Sequence, residues 1–171
     1  MQTLDIPQAN KLESVRAVVL AAERGSETLE QISDFTGYSP RHTQYRIHAA
    51  RVLGLLRVED EVAWVTSAGT RLLETAVRSA EERDVFYRAI QGSKVMGFIA
   101  PDLLHPTCPS LGDLTGRLFS ETTLSRSTAE RRANGLLAWR RYVMGQESVP
   151  TERERKSSAS RGHDGEQLSL F

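Results

Sequence analysis

The chain has 171 residues, 39% of them hydrophobic, which allows one domain or two small ones with a modest core. Lys+Arg and Asp+Glu both number 22, so a uniformly basic nucleic-acid binder is excluded and any such surface must be local. The single cysteine, Cys108, excludes a disulfide framework, and the chain shows neither an apolar signal core nor a membrane-length apolar run, so a cytoplasmic protein is expected.

Residues 11–23 (KLESVRAVVLAAE) read as a helix with Val15, Val18, Val19 and Ala22 on one face. ERGSET breaks that pattern. Residues 29–36 (LEQISDFT) form a short second helix with Leu29, Ile32 and Phe35 three apart, closed by Gly37. Ser39 is then an N-cap and Pro40 suits a first turn. Thr43, Ile47, Ala50 and Leu53 mark one buried face of the helix they open, and Gly54 ends it. Residues 55–58 and 62–66 fit two short strands around Glu59-Asp60-Glu61, and residues 67–76 and 79–91 fit helices. GFIAPDLLHPTCPS, with three prolines, reads as a loop.

Residues 111–119 resume a short helix, and TLSRSTAERRANGLLAWRRYV repeats the earlier design. With Ser39 set beside Ser125, Thr43, Ile47, Ala50 and Leu53 fall against Ala129, Ala133, Leu136 and Trp139. We read an internal repeat of two helix–turn–helix units. From about Gly145 the sequence GQESVPTERERKSSASRGHDGE has Val149 as its one large apolar residue and is expected to be disordered.

The repeated helices concentrate positive charge. Residues 39–57 hold four arginines, two histidines and no acid, and residues 124–143 hold five arginines against Glu130. At 100° per residue, the face opposite Thr43 carries Arg41, Gln44, Tyr45, His48 and, at its edge, Arg51. The same construction opposite Ala129 exposes Arg126, Ser127, Glu130, Arg131 and Asn134, with Arg132, Arg140 and Arg141 adding charge nearby. Arginine reaches phosphate oxygens and pairs bidentately with guanine, so both faces are expected to contact double-stranded DNA. A compositional preference for arginine gives the same skew, and such helices also dock proteins.

Little else carries chemistry. His105 and Cys108 are two ligand types where structural zinc takes four. Glu81, Glu82 and Asp84 complement a helix dipole on a solvated face. Phosphate loops and nucleophile motifs are lacking, so no enzyme, cofactor or metal is expected.

The stretches LEQISDFTGYSPRHTQYRIHAARVLGLL and LFSETTLSRSTAERRANGLLAWRRYV resemble the winged helix-turn-helix superfamily of bacterial regulators. The resemblance implies a mainly α fold of two such units with a small β-ribbon wing, and DNA or protein binding. The second stretch departs from the pattern, since only RRYV follows Trp139 before the tail, so no complete wing is expected there. The expected organisation is a first unit over 1–76, a linking helix and second unit over 77–144, a disordered linker over 145–166 and a terminal peptide over 167–171.

That peptide, QLSLF, sets three large apolar residues on a chain unable to bury them, the mark of a segment that docks in a partner's groove. It resembles the bacterial sliding-clamp-binding peptide throughout its five residues. The resemblance implies that Gln167 hydrogen-bonds in a polar recess of the clamp and that Leu168 holds the extended backbone. Ser169 is then a spacer, and Leu170 and Phe171 fill the apolar pocket. An edge strand folded back on the domain and a degradation signal are the other readings. A linker of about twenty residues spans roughly 25 Å, so a clamp-tethered domain meets the encircled DNA at high effective concentration. The expected function is a non-enzymatic DNA-binding adaptor docked on the clamp in replication, repair or genome defence. The alternatives are a winged helix-turn-helix transcriptional regulator, and a protein-interaction subunit of a DNA repair or restriction complex.

Overall fold

The computed structural model describes residues 6–146. In chain order the elements are α1 (Leu12–Glu23), α2 (Leu29–Thr36), α3 (Pro40–Val52), β1 (Leu56–Glu59), β2 (Val62–Val65), α4 (Ser67–Leu73), α5 (Ala80–Gly92), α6 (Lys94–Ile99), α7 (Leu111–Glu121) and α8 (Arg126–Val143). The protein is therefore mainly helical among the described residues, with one small antiparallel hairpin.

Hydroxyl caps set most of the helix starts. Thr28, Ser39, Thr66, Ser79, Ser93, Ser110 and Ser125 each accept a hydrogen bond from the backbone N–H three residues on. Each cap satisfies one of the N–H groups that a helix start leaves without a partner. Gly37 closes α2 at φ 70° and Gly54 follows α3 at φ 68°, in the left-handed region that costs glycine little. The hairpin pairs Leu56 with Val65 and Glu59 with Val62. Asp60 and Glu61, both at positive φ, make the two-residue turn whose twist matches the strands.

α1 lies at the centre of the first half, packed on α2, α3, α4 and β2. Val15, Val18, Val19 and Ala22 are buried there, with Ile32, Ala50, Leu53, Leu55 and Leu72. α7 and α8 form the tightest helix pair, and α5 links it to the first half through α4 on one side and α8 on the other. Each large apolar side chain removed from water contributes about 1.5–3 kcal/mol, so this continuous cluster drives the fold. The segment before α1 belongs to the second half as well. Arg132 Nη1 donates to the Ile6 carbonyl at 2.7 Å, and Trp139 Nε1 donates to the Ala9 carbonyl at 2.9 Å.

The offset that aligns Ser39 with Ser125 holds at the level of single hydrogen bonds. The Thr36 hydroxyl donates to the Ile32 carbonyl at 2.7 Å and accepts from the Tyr38 N–H. Its counterpart Thr122 donates to the Leu118 carbonyl at 2.6 Å and accepts from the Leu124 N–H. Ile32 and Leu118 are both fully buried, as are Thr43 and Ala129. The two halves thus build one turn twice. Only the first is followed by a hairpin among the described residues.

Three local expectations are corrected. The proline-bearing loop begins inside a helix, α6, because Ser93 caps it and Met96 and Ile99, three apart, both reach the core. Phe35 does not share the buried face of Ile32 and is 50% exposed. Ser33 turns inward instead, and its hydroxyl donates to Thr43 Oγ1 at 3.0 Å. Glu82 is not on a solvated face: it is fully buried beneath Arg16 of α1 and Tyr142 of α8.

Candidate nucleic-acid interface

α3 and α8 flank one groove of about 660 Å³, floored by residues 7–10. The floor is held by the Arg132 and Trp139 hydrogen bonds to that segment. Five arginines line the groove: Arg41 and Arg46 from α3, and Arg131, Arg132 and Arg141 from α8. Among the described residues no aspartate or glutamate lines it. Among the described residues none of the five is in an ion pair, so their charge is not cancelled locally.

Ring faces, a hydroxyl and carbonyls hold three of them, Arg41, Arg46 and Arg132. Arg41 Nε donates to the Tyr45 hydroxyl at 2.7 Å, a bond that raises the Arg41 pKa further above its ordinary value. The Arg46 guanidinium lies 4.1 Å from the centroid of the Tyr38 ring, and its Nη1 donates to the His42 carbonyl at 2.8 Å. Its buried Nε has no hydrogen-bond partner. Burial lowers the Arg132 pKa from its ordinary value, and the neighbouring positive charge of Arg131 adds to that effect. A bound anion would relieve both penalties. The His42 and Tyr45 rings are 6.4 Å apart between centroids at the same groove.

The five residues expected on the α3 DNA face are divided among three surfaces. Arg41 and Tyr45 face the groove, and Tyr45 is half-buried. Gln44 lies in a cleft of about 530 Å³ between α2, α3 and the hairpin, lined also by Glu27, Glu30, Asp60 and Glu61. His48 and Arg51 line a third hollow, with Arg88 and Lys94. Arg51 Nη2 is 3.3 Å from His48 Nδ1. On α8, Arg131 and Asn134 face the groove. Arg126 and Ser127 are exposed at the helix start, outside it.

Helical faces drawn from Thr43 and Ala129 do not single out His42, Arg46 or Arg132. The repeat itself carries a signal for two of them. The offset relating Ser39 to Ser125 also relates Tyr45 to Arg131 and Arg46 to Arg132, and all four line the groove.

The loop histidine and cysteine have local partners. His105 Nδ1 lies 2.7 Å from Thr107 Oγ1, and the Cys108 thiol donates to the Pro109 carbonyl. Among the described residues no group of three or more His, Cys, Asp or Glu is placed to hold a metal ion, and no helix is long and apolar enough to cross a membrane. Linker residues 147–166 and the peptide Gln167, Leu168, Ser169, Leu170 and Phe171 lie outside the described residues.

No protein-family model, curated protein or solved structure matches the chain.

Proposed function

We propose that the protein is a non-enzymatic DNA-binding adaptor that docks on the bacterial replication sliding clamp through QLSLF at 167–171. The observation that carries the DNA part is the α3–α8 groove, where five arginines meet and, among the described residues, no carboxylate joins them. Such a surface attracts phosphates by an electrostatic, salt-dependent force. The order α1, α2, turn, α3, hairpin is that of a winged helix-turn-helix, and α7–α8 repeats its central part. The clamp part rests on the peptide sequence, with its polar Gln167 and apolar Leu168, Leu170 and Phe171. Two weak contacts, one to the clamp and one to the DNA it encircles, then combine by tethering.

The test is binding of the full chain, and of a chain lacking residues 167–171, to a purified bacterial sliding clamp by calorimetry. Micromolar or tighter binding that vanishes on truncation supports the reading. No binding by the full chain removes the clamp from it.

A second reading, docking of the first unit on a protein, is favoured by the hairpin side. Trp64 is 45% exposed on β2, the strand whose Val62 and Ala63 line a cleft with four carboxylates that repels DNA. Co-purification of a partner that the Trp64→Ala variant loses would support that role.

A further inference from the structure

We infer that the α3–α8 groove takes a single strand of nucleic acid, and that the hairpin side of α3 is turned away from DNA. This rests on the DNA-binding reading above and changes how the DNA is held.

The argument begins with the charge around α3. Two of the three surfaces it borders have opposite sign. Towards α8 stand Arg41 and Arg46, across from Arg131, Arg132 and Arg141. Towards the hairpin stand Glu27, Glu30, Asp60 and Glu61, with Gln44 between them. A helix inserted in a duplex with its wing alongside brings that second flank against phosphates. Like charges there oppose docking.

Geometry points the same way. The major groove of B-DNA is about 12 Å wide and admits one helix, itself about 10–12 Å across. Arg41, His42, Arg131 and Arg141 stand exposed at the rim of the groove, whereas its deeper residues lie back from the outer surface that a duplex meets. Arg132 is only 9% exposed, and Tyr45 and Arg46 are half-buried. A rod-like duplex does not reach them, whereas a flexible strand threads between the helices. The groove also offers what a strand uses: arginines for the backbone, the exposed His42 ring as a stacking face for a base, and the Tyr45 ring, over which the Arg41 guanidinium lies 5.6 Å from the centroid.

The experiment uses the full chain and three labelled probes of one sequence: single-stranded DNA, the DNA duplex and single-stranded RNA. Binding is read by fluorescence anisotropy across a salt series. One variant carries Arg131→Glu with Arg141→Glu, two exposed groove arginines. The control carries Arg24→Glu with Arg71→Glu, an equal charge change on exposed residues outside the groove. Melting curves establish that both fold. Single strands are expected to bind more tightly than the duplex. The groove variant is expected to lose tenfold or more and to flatten the log–log salt slope by about 1.4, at about 0.7 per lost phosphate contact. The control should stay within about threefold, as a change in the general field alone. A preference for the RNA or the DNA strand identifies the polymer and leaves the single-strand assignment standing. Equal losses in both variants, or tighter binding of the duplex than of either single strand, overturn the inference while leaving DNA binding intact. Failure to bind any probe at low salt overturns the inference and the DNA-binding reading together.

Discussion

Glu82 is the most exacting point in the fold, and replacing it with glutamine tests the packing of both halves at once. Its carboxylate is fully buried and accepts from Arg16 Nη1 at 3.0 Å, from the Arg78 backbone N–H and from the Tyr142 hydroxyl. Arg16 in turn donates to the Leu72 and Thr75 carbonyls at 2.6 and 2.9 Å. Three donors from separate parts of the chain thus converge on two oxygens. Glutamine keeps the shape but supplies one accepting oxygen, and its amide nitrogen faces a donor. The Arg16 charge also stays buried without its counter-charge. Removing one partner of a buried pair costs about 3–5 kcal/mol. At about 2–4 °C per kcal/mol for a chain of this size, the melting temperature should fall by roughly 10 °C. Thermal unfolding followed by circular dichroism measures this. Tyr142→Phe deletes a single hydrogen bond to the carboxylate and should cost less, about 1.5–3 kcal/mol. If Glu82→Gln melted within about 2 °C of the parent, the buried ion pair would not be coupling α1, α5 and α8, and the account of the core would be wrong.

Two further perturbations test local geometry. A methyl group at Gly69 would sit 2.3 Å from the Leu55 carbonyl oxygen and 2.8 Å from Val65 Cγ1, and the first of these is backbone that cannot swing aside. Gly69→Ala should therefore destabilise by about 1–3 kcal/mol through overpacking between α4 and the hairpin, read as an earlier urea midpoint, and an unchanged midpoint would contradict the contact. Asp102 accepts from both Arg117 Nη atoms, at 2.7 and 3.1 Å, and these bonds hold its carboxyl below the usual value. A depressed folded-state pKa gives a contribution that is complete above the unfolded value, about 4, and is lost as pH falls through the folded one. The melting-temperature gap between the parent and Asp102→Asn should be full at neutral pH and close in acid, and a gap that widened on acidification would refute the pairing.

What the sequence made legible is what a few adjacent residues decide. Ser39, Pro40, Gly37 and Gly54 fix the ends of α2 and α3 through their own backbone chemistry, and the structure places those ends there. The repeat was legible for the same reason, since Thr36 and Thr122 act within two turns of their own helices. Glu82 was not legible, because its partners Arg16 and Tyr142 lie 66 and 60 residues away and no periodicity encodes them. Phe35 was misplaced because apolar spacing does not reveal that Ser33 has a buried hydroxyl partner in Thr43. The groove has the same limit. Each basic helix can be read from its own residues, but their common groove depends on residues 6–9 being held against α8.

The repeat also explains why the groove keeps its charge. Arg46 and Arg132 occupy equivalent positions, yet they are satisfied differently. Arg46 rests on the Tyr38 ring, and the residue equivalent to Tyr38 in the second half is Leu124, which has no ring to offer. Arg132 turns instead to the Ile6 carbonyl and so fastens the segment that floors the groove. Neither solution uses a carboxylate. A carbonyl or a ring face stabilises a guanidinium through partial charges, without the full counter-charge that an ion pair supplies. The net positive charge of both arginines therefore persists, in a recess whose low-dielectric walls concentrate its field. A protein with zero net charge can in this way hold a positively charged groove, because among the described residues its acids line other surfaces, such as the cleft by the hairpin, or are buried, as Glu82 is.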